Sequence, residues 1–463
     1  MTATSREPAK PSSNGRLLQQ WRRLGGWQIV LAVAAAWFVL EHLHPELLVR
    51  DTTPTGGDTG AHVWAPDALR RDLFGDGKLS GWSPDWFAGF PAFRFYMVVP
   101  AAAIALLGTV IPPNIAFKLV VAAGPVSLPV AAYAAGRLAR LPAPTPGLFA
   151  VATVPFLFDR YHTIWGGNIA ASLAGEFGYS LSLSLSLLAL GLVAAGVRDG
   201  RGQARAAAVL ALAVLCHPIP ALFAAFGSVA IVALTGDPRR WLWLARVGAA
   251  ALTITAFWTV PFLWDRALVV DLGWEPIGDE IDALFRLDAG RDHLRWVVAA
   301  AGVGTVTAWT GGRLFERALP VTAAGLAVTI VSLPAGQLWN ARLLPLWYLC
   351  LHLLAASGVG AILRAVVTGR HQLLARRWTP TTQIAVIVSV GLGAASAAVV
   401  AGSVGVVIGI AAALLIGSEA AILGGPRQGS QLAMIGASGL IVAAVLISVA
   451  MPLRSLPFGS LDD

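Results

Sequence analysis

The sequence is poor in charge. Only 13% of its 463 residues are Asp, Glu, Lys or Arg, whereas a soluble domain carries about 25%. Hydrophobic residues make up 56% of the chain, and its mean hydropathy is +0.70. Apolar runs long enough, or nearly so, to cross about 30 Å of hydrocarbon recur from about residue 26 to residue 451. The composition excludes an ordinary soluble enzyme and predicts an all-α polytopic membrane protein.

Cysteine and nucleotide-binding motifs are equally scarce. Cys216 and Cys350, the two cysteines, lie at or within apolar segments and are typical of small core residues, so they indicate neither a redox compartment nor a metal site. The chain has no P-loop and no GxGxxG after a strand, so nucleotide is not indicated as an energy source. Its net charge of +8 indicates cytoplasmic loops that contact membrane lipid rather than nucleic acid.

What the chain does contain is a series of apolar segments, about 13 of which are predicted to be transmembrane helices. Segment 93–111, FRFYMVVPAAAIALLGTVI, is predicted instead to form a juxtamembrane or re-entrant hairpin on the outer face. A crossing there would place Arg137 and Arg140 outside, and it is the alternative. The predicted spans are 26–44, 114–136, 146–158, 177–197, 203–216, 219–235, 241–262, 294–310, 317–334, 341–363, 381–401, 403–423 and 430–451.

The distribution of charge predicts the orientation. With these spans, the side of the N-terminal tail holds 20 of the 33 Lys and Arg residues and 5 of the 25 acids, whereas the opposite side holds 13 and 20. By the positive-inside rule the N-terminus is cytoplasmic and the C-terminus extracytoplasmic, in a multi-pass protein of the cell membrane. We predict three parts: a basic tail (1–25), a transmembrane core (26–365) and C-terminal transmembrane helices (366–463) ending outside.

The first of three long outer loops, 45–113, contains the stretch GGDTGAHVW at 56–64. A short carboxylate such as Asp58, in a glycine-rich turn, can be aimed and desolvated, which suits a general base. His62 follows one helical turn later and is a candidate substrate ligand. The alternative is that Asp58 only caps a helix that begins near His62.

The rest of this loop is predicted to lie along the membrane surface. APDALRRDLFGDG (65–77) has the pattern of a short amphipathic, interfacial helix. GWSPDWFAGFPAFRFYMVVP (81–100) supplies several aromatic side chains, among them Trp82 and Trp86. Such rings are typical of an aromatic belt at the membrane surface, and the alternative is an aromatic floor on which a sugar ring stacks.

The other long outer loops, 159–176 and 263–293, and the start of span 341–363 hold further candidates. Glu176 stands at the start of a span, where an ionisable residue indicates function. The alternative is that it is simply an acid in the first turn of the helix, where the helix dipole favours a negative charge. Arg342 is predicted either to hold a lipid phosphate or to snorkel to the interface. The candidate substrate-binding residues in these segments are Asp159, Arg160, His162, Trp165, Asn168, Asn340 and Arg342.

Five motifs in order resemble a known family: GGDTGAHVW, GWSPDWFAGFPAFRFY, WGGNIAASLAGEF, FWTVPFLW and LWNARLLPLWYL. Over about residues 25 to 365 the chain resembles actinobacterial integral membrane proteins labelled 6-pyruvoyl-tetrahydropterin-synthase-related, although nothing in it resembles the soluble pterin enzyme. Those proteins in turn look like GT-C glycosyltransferases, including the arabinofuranosyl- and mannosyltransferases of mycobacterial envelopes.

The resemblance implies a polyprenyl-phosphate sugar donor, an envelope glycan or glycolipid acceptor, and catalysis on the extracytoplasmic face by an acid of the first outer loop, here Asp58. That carboxylate would deprotonate an acceptor hydroxyl while polyprenyl phosphate leaves. Glu176 is the second catalytic candidate. A divalent cation would suit Asp58, His62 and Glu176 as hard ligands, but their spacing requires none.

Two other classes of function remain open. A transporter or lipid flippase predicts ionisable residues at mid-bilayer, whereas the acids here crowd the outer surface. A non-catalytic envelope-assembly protein is the other alternative, because relatives commonly continue into an extracytoplasmic soluble region and this sequence ends at Asp463. The catalytic hypothesis predicts that six side chains converge around one outward-facing pocket: Asp58, His62, Asp159, His162, Glu176 and Arg342.

Overall fold

Long apolar segments fold into helices throughout the part of the chain that the structure describes. The computed structural model describes residues 26–271, 277–286, 294–333 and 338–368, except for the side chains of 72, 73 and 366–368. The helices of ten or more residues are α1 (Gly26–Glu41), α2 (Thr59–Ala68), α3 (Val98–Leu107), α4 (Pro113–Leu138), α5 (Thr145–Leu157), α6 (Phe177–Asp199), α7 (Gln203–Cys216), α8 (Pro218–Ala233), α9 (Pro238–Trp264), α10 (Leu294–Gly311), α11 (Leu314–Ser332) and α12 (Leu344–Thr368).

Each of the ten spans predicted between residues 26 and 363 corresponds to one of these helices, with ends that differ by a few residues. The all-α polytopic membrane fold is therefore confirmed, while the predicted spans 381–401, 403–423 and 430–451 lie outside the described residues. Within the residues that the structure describes, five stretches are by themselves long and apolar enough to cross a membrane: Pro113–Leu138, Ile169–Asp199, Pro238–Trp264, Leu314–Ser332 and Asn340–Ala365.

Helix α6 lies at the centre of the bundle, where it packs against α4, α7 and α8. Its buried serines hold it to these neighbours. The Ser182 hydroxyl lies 2.8 Å from the carbonyl oxygens of both Ala213 and His217, and Ser184 donates to the carbonyl oxygen of Gly124 at 3.0 Å. Small residues with interhelical hydrogen bonds are typical of contacts between membrane helices.

The predicted first outer loop, 45–113, has its own secondary structure. After α2 the chain continues through a π-helical turn (Leu69–Leu73) and a 3₁₀ turn (Phe74–Asp76) to the antiparallel strands β1 (Gly81–Ser83) and β2 (Phe90–Ala92). The predicted amphipathic segment 65–77 is thus divided among three kinds of helix. Its apolar side is buried in a small cluster of its own, formed by Ala65, Leu69, Ala92, Phe93, Val98, Ala101 and Ala105.

Segment 93–111 contains α3, which has only ten residues. A helix of that length is about 15 Å long, roughly half of what the hydrocarbon core requires. A turn at 108–112 then leads directly into α4, which begins with Pro113. The helix in this segment is therefore short for an ordinary crossing, and the hairpin of 93–111 on the outer face stays a prediction.

Candidate active site

Asp58 lies at the N-cap position of α2 but does not cap it. Its side chain makes no hydrogen bond to the backbone of the first turn, and the residue is exposed. The cap alternative for Asp58 therefore lacks the interaction that defines a cap. The carboxylate instead stays available to a ligand.

Backbone contacts with a distant segment hold Asp58 in place. Its N–H donates to the carbonyl oxygen of Ala174 at 2.7 Å, and the hydroxyl of Thr59 donates to the carbonyl oxygen of Leu173 at 3.0 Å. The partner segment, Ser172–Glu176, is a π-helical turn at the start of α6. The first and second predicted outer loops thus meet at Asp58.

His62 lies one turn along α2 from Asp58. Its Nε2 is 3.2 Å from the hydroxyl of Tyr96, and its ring packs edge-on against Phe177. Burial lowers the pKa of His62 below its ordinary value, while the charges of Glu176 and Asp58 act in the opposite direction. The imidazole is therefore neutral at neutral pH.

Glu176 and Arg342 form an ion pair beside this histidine. The Arg342 guanidinium donates to Glu176 Oε1 at 2.5 Å, although 166 residues separate them in sequence. The backbone carbonyl of Arg342 also accepts a hydrogen bond of 2.8 Å from Tyr179, on α6. A partly buried guanidinium held this way can share its remaining donors with an incoming phosphate.

Two cavities are lined in part by the segments that meet at Asp58. The first, called the His62 cavity, has a volume of about 20 Å³, and its lining includes His62, Tyr96, Glu176 and Phe177. The second, called the Leu47 cavity, has a volume of about 120 Å³, and Thr59 and Ser172 form part of its wall. Its lining is mostly apolar: Leu43, Leu47, Leu48, Phe117, Val121 and Leu173 contribute to it.

Asp159 belongs to a separate, buried cluster. It forms an ion pair with Arg286, whose guanidinium carbon lies 4.2 Å from the ring centroids of both Tyr161 and Tyr348. Burial opposes ionisation of Asp159, yet the adjacent Arg286 charge holds the pKa of this carboxyl below its ordinary value. The pair links the predicted loops 159–176 and 263–293.

His162, Trp165 and Asn168 complete that cluster. The His162 ring stacks on Trp165 with centroids 4.9 Å apart, and burial lowers the pKa of His162 to about 4. The amide nitrogen of Asn168 donates to the carbonyl oxygens of Asp159 and His162 at 2.8 and 2.7 Å. Asn168 also caps the turn Ile169–Ala171, so its contacts are those of a residue that fixes the loop.

Four candidates remain: Trp82, Trp86, Arg160 and Asn340. Trp82, on β1, is 68% exposed, and Trp86 stacks on Phe90 within the hairpin. Arg160 is exposed. Asn340 is buried beside Arg342 and donates to the carbonyl oxygen of Ile330 at 3.3 Å.

The structure therefore brings Asp58, His62, Glu176 and Arg342 together, and places Asp159 and His162 in the buried cluster around Arg286. Tyr96 and Arg286 are the residues that sequence reasoning missed. Tyr96 is one of several aromatic residues in segment 81–100, and nothing in the sequence distinguishes it from the others. Arg286 carried no signal, because its partner Asp159 is 127 residues away.

The proposed divalent-cation ligands do not form a metal site. In the described ranges no group of three His, Cys, Asp or Glu side chains is placed to hold a metal ion. Glu176 is engaged by Arg342, and Asp58 and His62 alone offer too few ligands for a Ca²⁺-type or Mg²⁺-type site. No chemical step is therefore derived through a metal.

Comparison with solved structures identifies the fold. ArnT from Cupriavidus metallidurans in the apo state is similar with a TM-score of 0.51 and 13% identity over 92% of this chain and 76% of ArnT. The fold is GT-C-like. ArnT bound to undecaprenyl phosphate gives 0.49 at the same identity and coverage. The arabinofuranosyltransferase AftD from Mycobacteria gives 0.48 and 15% identity over 80% of this chain and 27% of AftD.

These similarities concern the fold alone, because sequence identity is low. No protein-family model matches the chain, and no curated protein matches it significantly. The function therefore has to be argued from the side chains around Asp58.

Proposed function

We propose that the protein is an integral membrane glycosyltransferase that moves a sugar from a polyprenyl-phosphate donor to a hydroxyl of an envelope glycan or glycolipid on the extracytoplasmic face. The observation that carries the proposal is the Asp58 carboxylate, which is exposed and free of a capping bond. It lies beside Thr59, which lines the Leu47 cavity, and Gly175, which lines the His62 cavity. The GT-C-like fold and the binding of undecaprenyl phosphate by ArnT support the donor class.

In this reaction Asp58 acts as the general base. It accepts the proton of the acceptor hydroxyl as the oxygen attacks the anomeric carbon of the sugar. The bond between that carbon and the phosphate oxygen breaks, and its electron pair leaves with the polyprenyl phosphate. A single displacement inverts the configuration at the anomeric carbon.

Arg342 and His62 have supporting roles in this proposal. Arg342 offers a positive charge for the phosphate, and its ion pair with Glu176 fixes the direction of the guanidinium. Neutral His62 and Tyr96 present polar atoms in the wall of the His62 cavity, which suit sugar hydroxyls. Glu176 is the second candidate base, although it is already engaged by Arg342.

The Leu47 cavity suits the isoprenoid chain of the donor. Its mostly apolar lining favours hydrocarbon over sugar. Thr59, the residue after Asp58, is in its wall. A chain bound there would place its phosphate end near the carboxylate.

The test replaces Asp58 with Asn, which keeps the size of the side chain but cannot accept a proton. Transfer of a radiolabelled sugar from a synthetic polyprenyl-phosphate donor, in nanodiscs with envelope lipid as acceptor, should fall about 10²–10⁴-fold, the range for loss of a general base. Asp67→Asn is the matched control: it changes an exposed carboxylate of the same helix that pairs with Arg70 and Arg71, and activity should be retained.

Stability distinguishes catalysis from capping at the same position. Because Asp58 makes no cap bond, both Asp58→Asn and Asp58→Ala should melt close to the wild type. A capping role would instead make Asp58→Ala less stable by about 1 kcal/mol. Full transfer activity in Asp58→Asn would reject Asp58 as the base.

A further inference from the structure

The contacts that surround Asp58 are made by backbone atoms, and glycines make them sterically feasible. The clasp, as we call it, consists of residues 57–59 and 172–175, joined by the hydrogen bonds of Asp58 and Thr59 to the carbonyl oxygens of Ala174 and Leu173. Its two segments are more than a hundred residues apart in sequence. Thr59, Ser172 and Leu173 of the clasp line the Leu47 cavity, and Gly175 lines the His62 cavity.

Gly57 is one of the two residues that allow this approach. Its φ is +49°, and a Cβ there would lie 2.3 Å from the carbonyl oxygen of Ala174. Real Cβ atoms do not come so close, and the obstructing atoms belong to backbone, so the clasp would have to open. Any larger residue would also break the hydrogen bond that the neighbouring Asp58 N–H makes to the same oxygen.

Gly175 faces Asp58 from the other side of the clasp. Its φ is +123°, a conformation that L side chains rarely adopt. A Cβ at Gly175 would lie 2.9 Å from Asp58 Cβ and 3.2 Å from Cδ2 of His62. A side chain at this position would therefore crowd two side chains of the site, one of them the proposed base.

The Asp58 side chain depends on this backbone for its position, since no hydrogen bond to the first turn of α2 holds it. We propose that Gly57 and Gly175 are positioning residues for Asp58: their lack of a Cβ lets the clasp close and thereby sets the position of the carboxylate. The inference rests on the proposed function, and it assigns two further residues to that reaction.

The neighbouring sequence offers a matched control. Gly60 lies in α2 two residues after Asp58, has an ordinary helical φ, and has no heavy atom within 4 Å of the place where a Cβ would stand. Gly60→Ala should therefore leave the clasp closed. Thr59→Val is a milder probe of the clasp itself, because it removes only the hydroxyl that donates to Leu173.

The first measurement is steady-state sugar transfer by Gly57→Ala, Gly175→Ala, Thr59→Val and Gly60→Ala in nanodiscs. A displacement of about 1 Å can cost on the order of 10²-fold in rate, so kcat should fall roughly 10- to 100-fold in the first two variants, with KM for the donor nearly unchanged. Thr59→Val should show a smaller loss of kcat, and Gly60→Ala none. A purely structural role would instead lower the amount of folded protein and leave kcat per folded molecule intact.

The second measurement does not require activity. Modification of Asp58 by a carbodiimide and an amine, followed by mass spectrometry, reports the surroundings of the carboxylate. Its rate should change in Gly57→Ala and Gly175→Ala and stay at the wild-type value in Gly60→Ala. If the wild type transfers no sugar, the proposed function fails while this labelling still decides the inference. Wild-type labelling and wild-type kcat in Gly175→Ala would overturn it; Thr59→Val decides the matter if the glycine variants do not fold.

Discussion

His162 is a buried imidazole whose two ring nitrogens have no hydrogen-bond partner among the described residues. It stacks between Trp165 and Tyr348, so its contacts are those of an apolar ring. Burial lowers its pKa to about 4, compared with about 6.5 for an exposed histidine. The folded protein therefore keeps His162 neutral where the unfolded chain would protonate it.

This difference predicts how stability depends on pH. Above about pH 6.5 the imidazole is neutral in both the folded and the unfolded state. As the pH falls toward about 4, the unfolded state binds a proton and the folded state does not, so stability is lost in that window. His162→Phe keeps the stacking and removes the titration. Apparent melting temperatures between about pH 7.5 and pH 4.5 should therefore decline less steeply in the variant than in the wild type.

Other groups near His162 do not obscure this test. Asp159 has a lowered pKa and titrates below the window, and Arg286 stays charged throughout. His62, whose pKa is also lowered, contributes equally to both proteins. Equal slopes in the two proteins would contradict the assignment of the pH dependence to His162.

Single residues also mark where sequence reasoning reaches its limit. The sequence predicted Asp58, His62, Glu176 and Arg342 as candidates because charged and imidazole side chains are rare in an apolar chain. It predicted that these side chains converge but not that Glu176 pairs with Arg342, since the ion pair depends on how the turns before α6 and α12 meet. The absence of a capping hydrogen bond at Asp58 could not be predicted either, because the sequence does not specify the side-chain rotamer.

Among the secondary-structure elements, the helices were predictable and their connections were not. Apolar runs, ended by Pro, Gly or Arg, located the ten predicted spans that correspond to α1 and to α4–α12 to within a few residues. The π-helical turn Ser172–Glu176 and the hairpin of β1 and β2 were not predicted. Their shape depends on distant contacts, such as that between Gly175 and Asp58.

A buried ion pair attaches the short helix Glu280–Phe285 to the loop before α6. Arg286, directly after this helix, pairs with Asp159, and Tyr348 of α12 donates to the carbonyl oxygen of Ala283. Arg286→Met removes the charge but keeps much of the bulk. It leaves Asp159 buried without its partner, and we expect a loss of about 3–5 kcal/mol in the free energy of unfolding.

A double variant separates the charge from the packing. Replacing both members of a buried pair by apolar residues is often neutral or stabilising, whereas removing one is costly. Asp159→Leu combined with Arg286→Met should therefore melt closer to the wild type than either single variant. Additive losses in thermal or denaturant unfolding would contradict the ion-pair explanation.

At the scale of the whole molecule, the helices bring together segments that the chain separates widely. The turn before α2, the turn before α6 and the turn before α12 supply Asp58, Glu176 and Arg342. The charge distribution of the sequence likewise places most of the acids on one side of the membrane. Helices that alternate in direction return every second connection to the same face, so a site can be assembled from loops far apart in sequence.

Helix α4 makes this arrangement testable, because its 26 residues span about 39 Å. Val110 is 76% exposed just before it, and Arg140 is exposed just beyond its other end. The native cysteines, Cys216 and Cys350, are buried and should give little background. Single cysteines at 110 and 140 therefore report the two sides of the membrane.

We expect a membrane-impermeant maleimide to label a cysteine at Val110 in intact cells, and one at Arg140 only after the membrane is permeabilised. The charge distribution predicts this, since it places Arg140 with the cytoplasmic N-terminal tail. Two further positions lie on either side of α6. A cysteine at Arg160 should be labelled in the same way as one at Val110, and a cysteine at Arg201 in the same way as one at Arg140. If 93–111 crossed the membrane as an ordinary span, Arg140 would be labelled from outside and Val110 would not. That reversed pattern would place the turn that begins α2 and the loop that carries Glu176 on opposite faces, which the hydrogen bond from Asp58 to Ala174 does not allow.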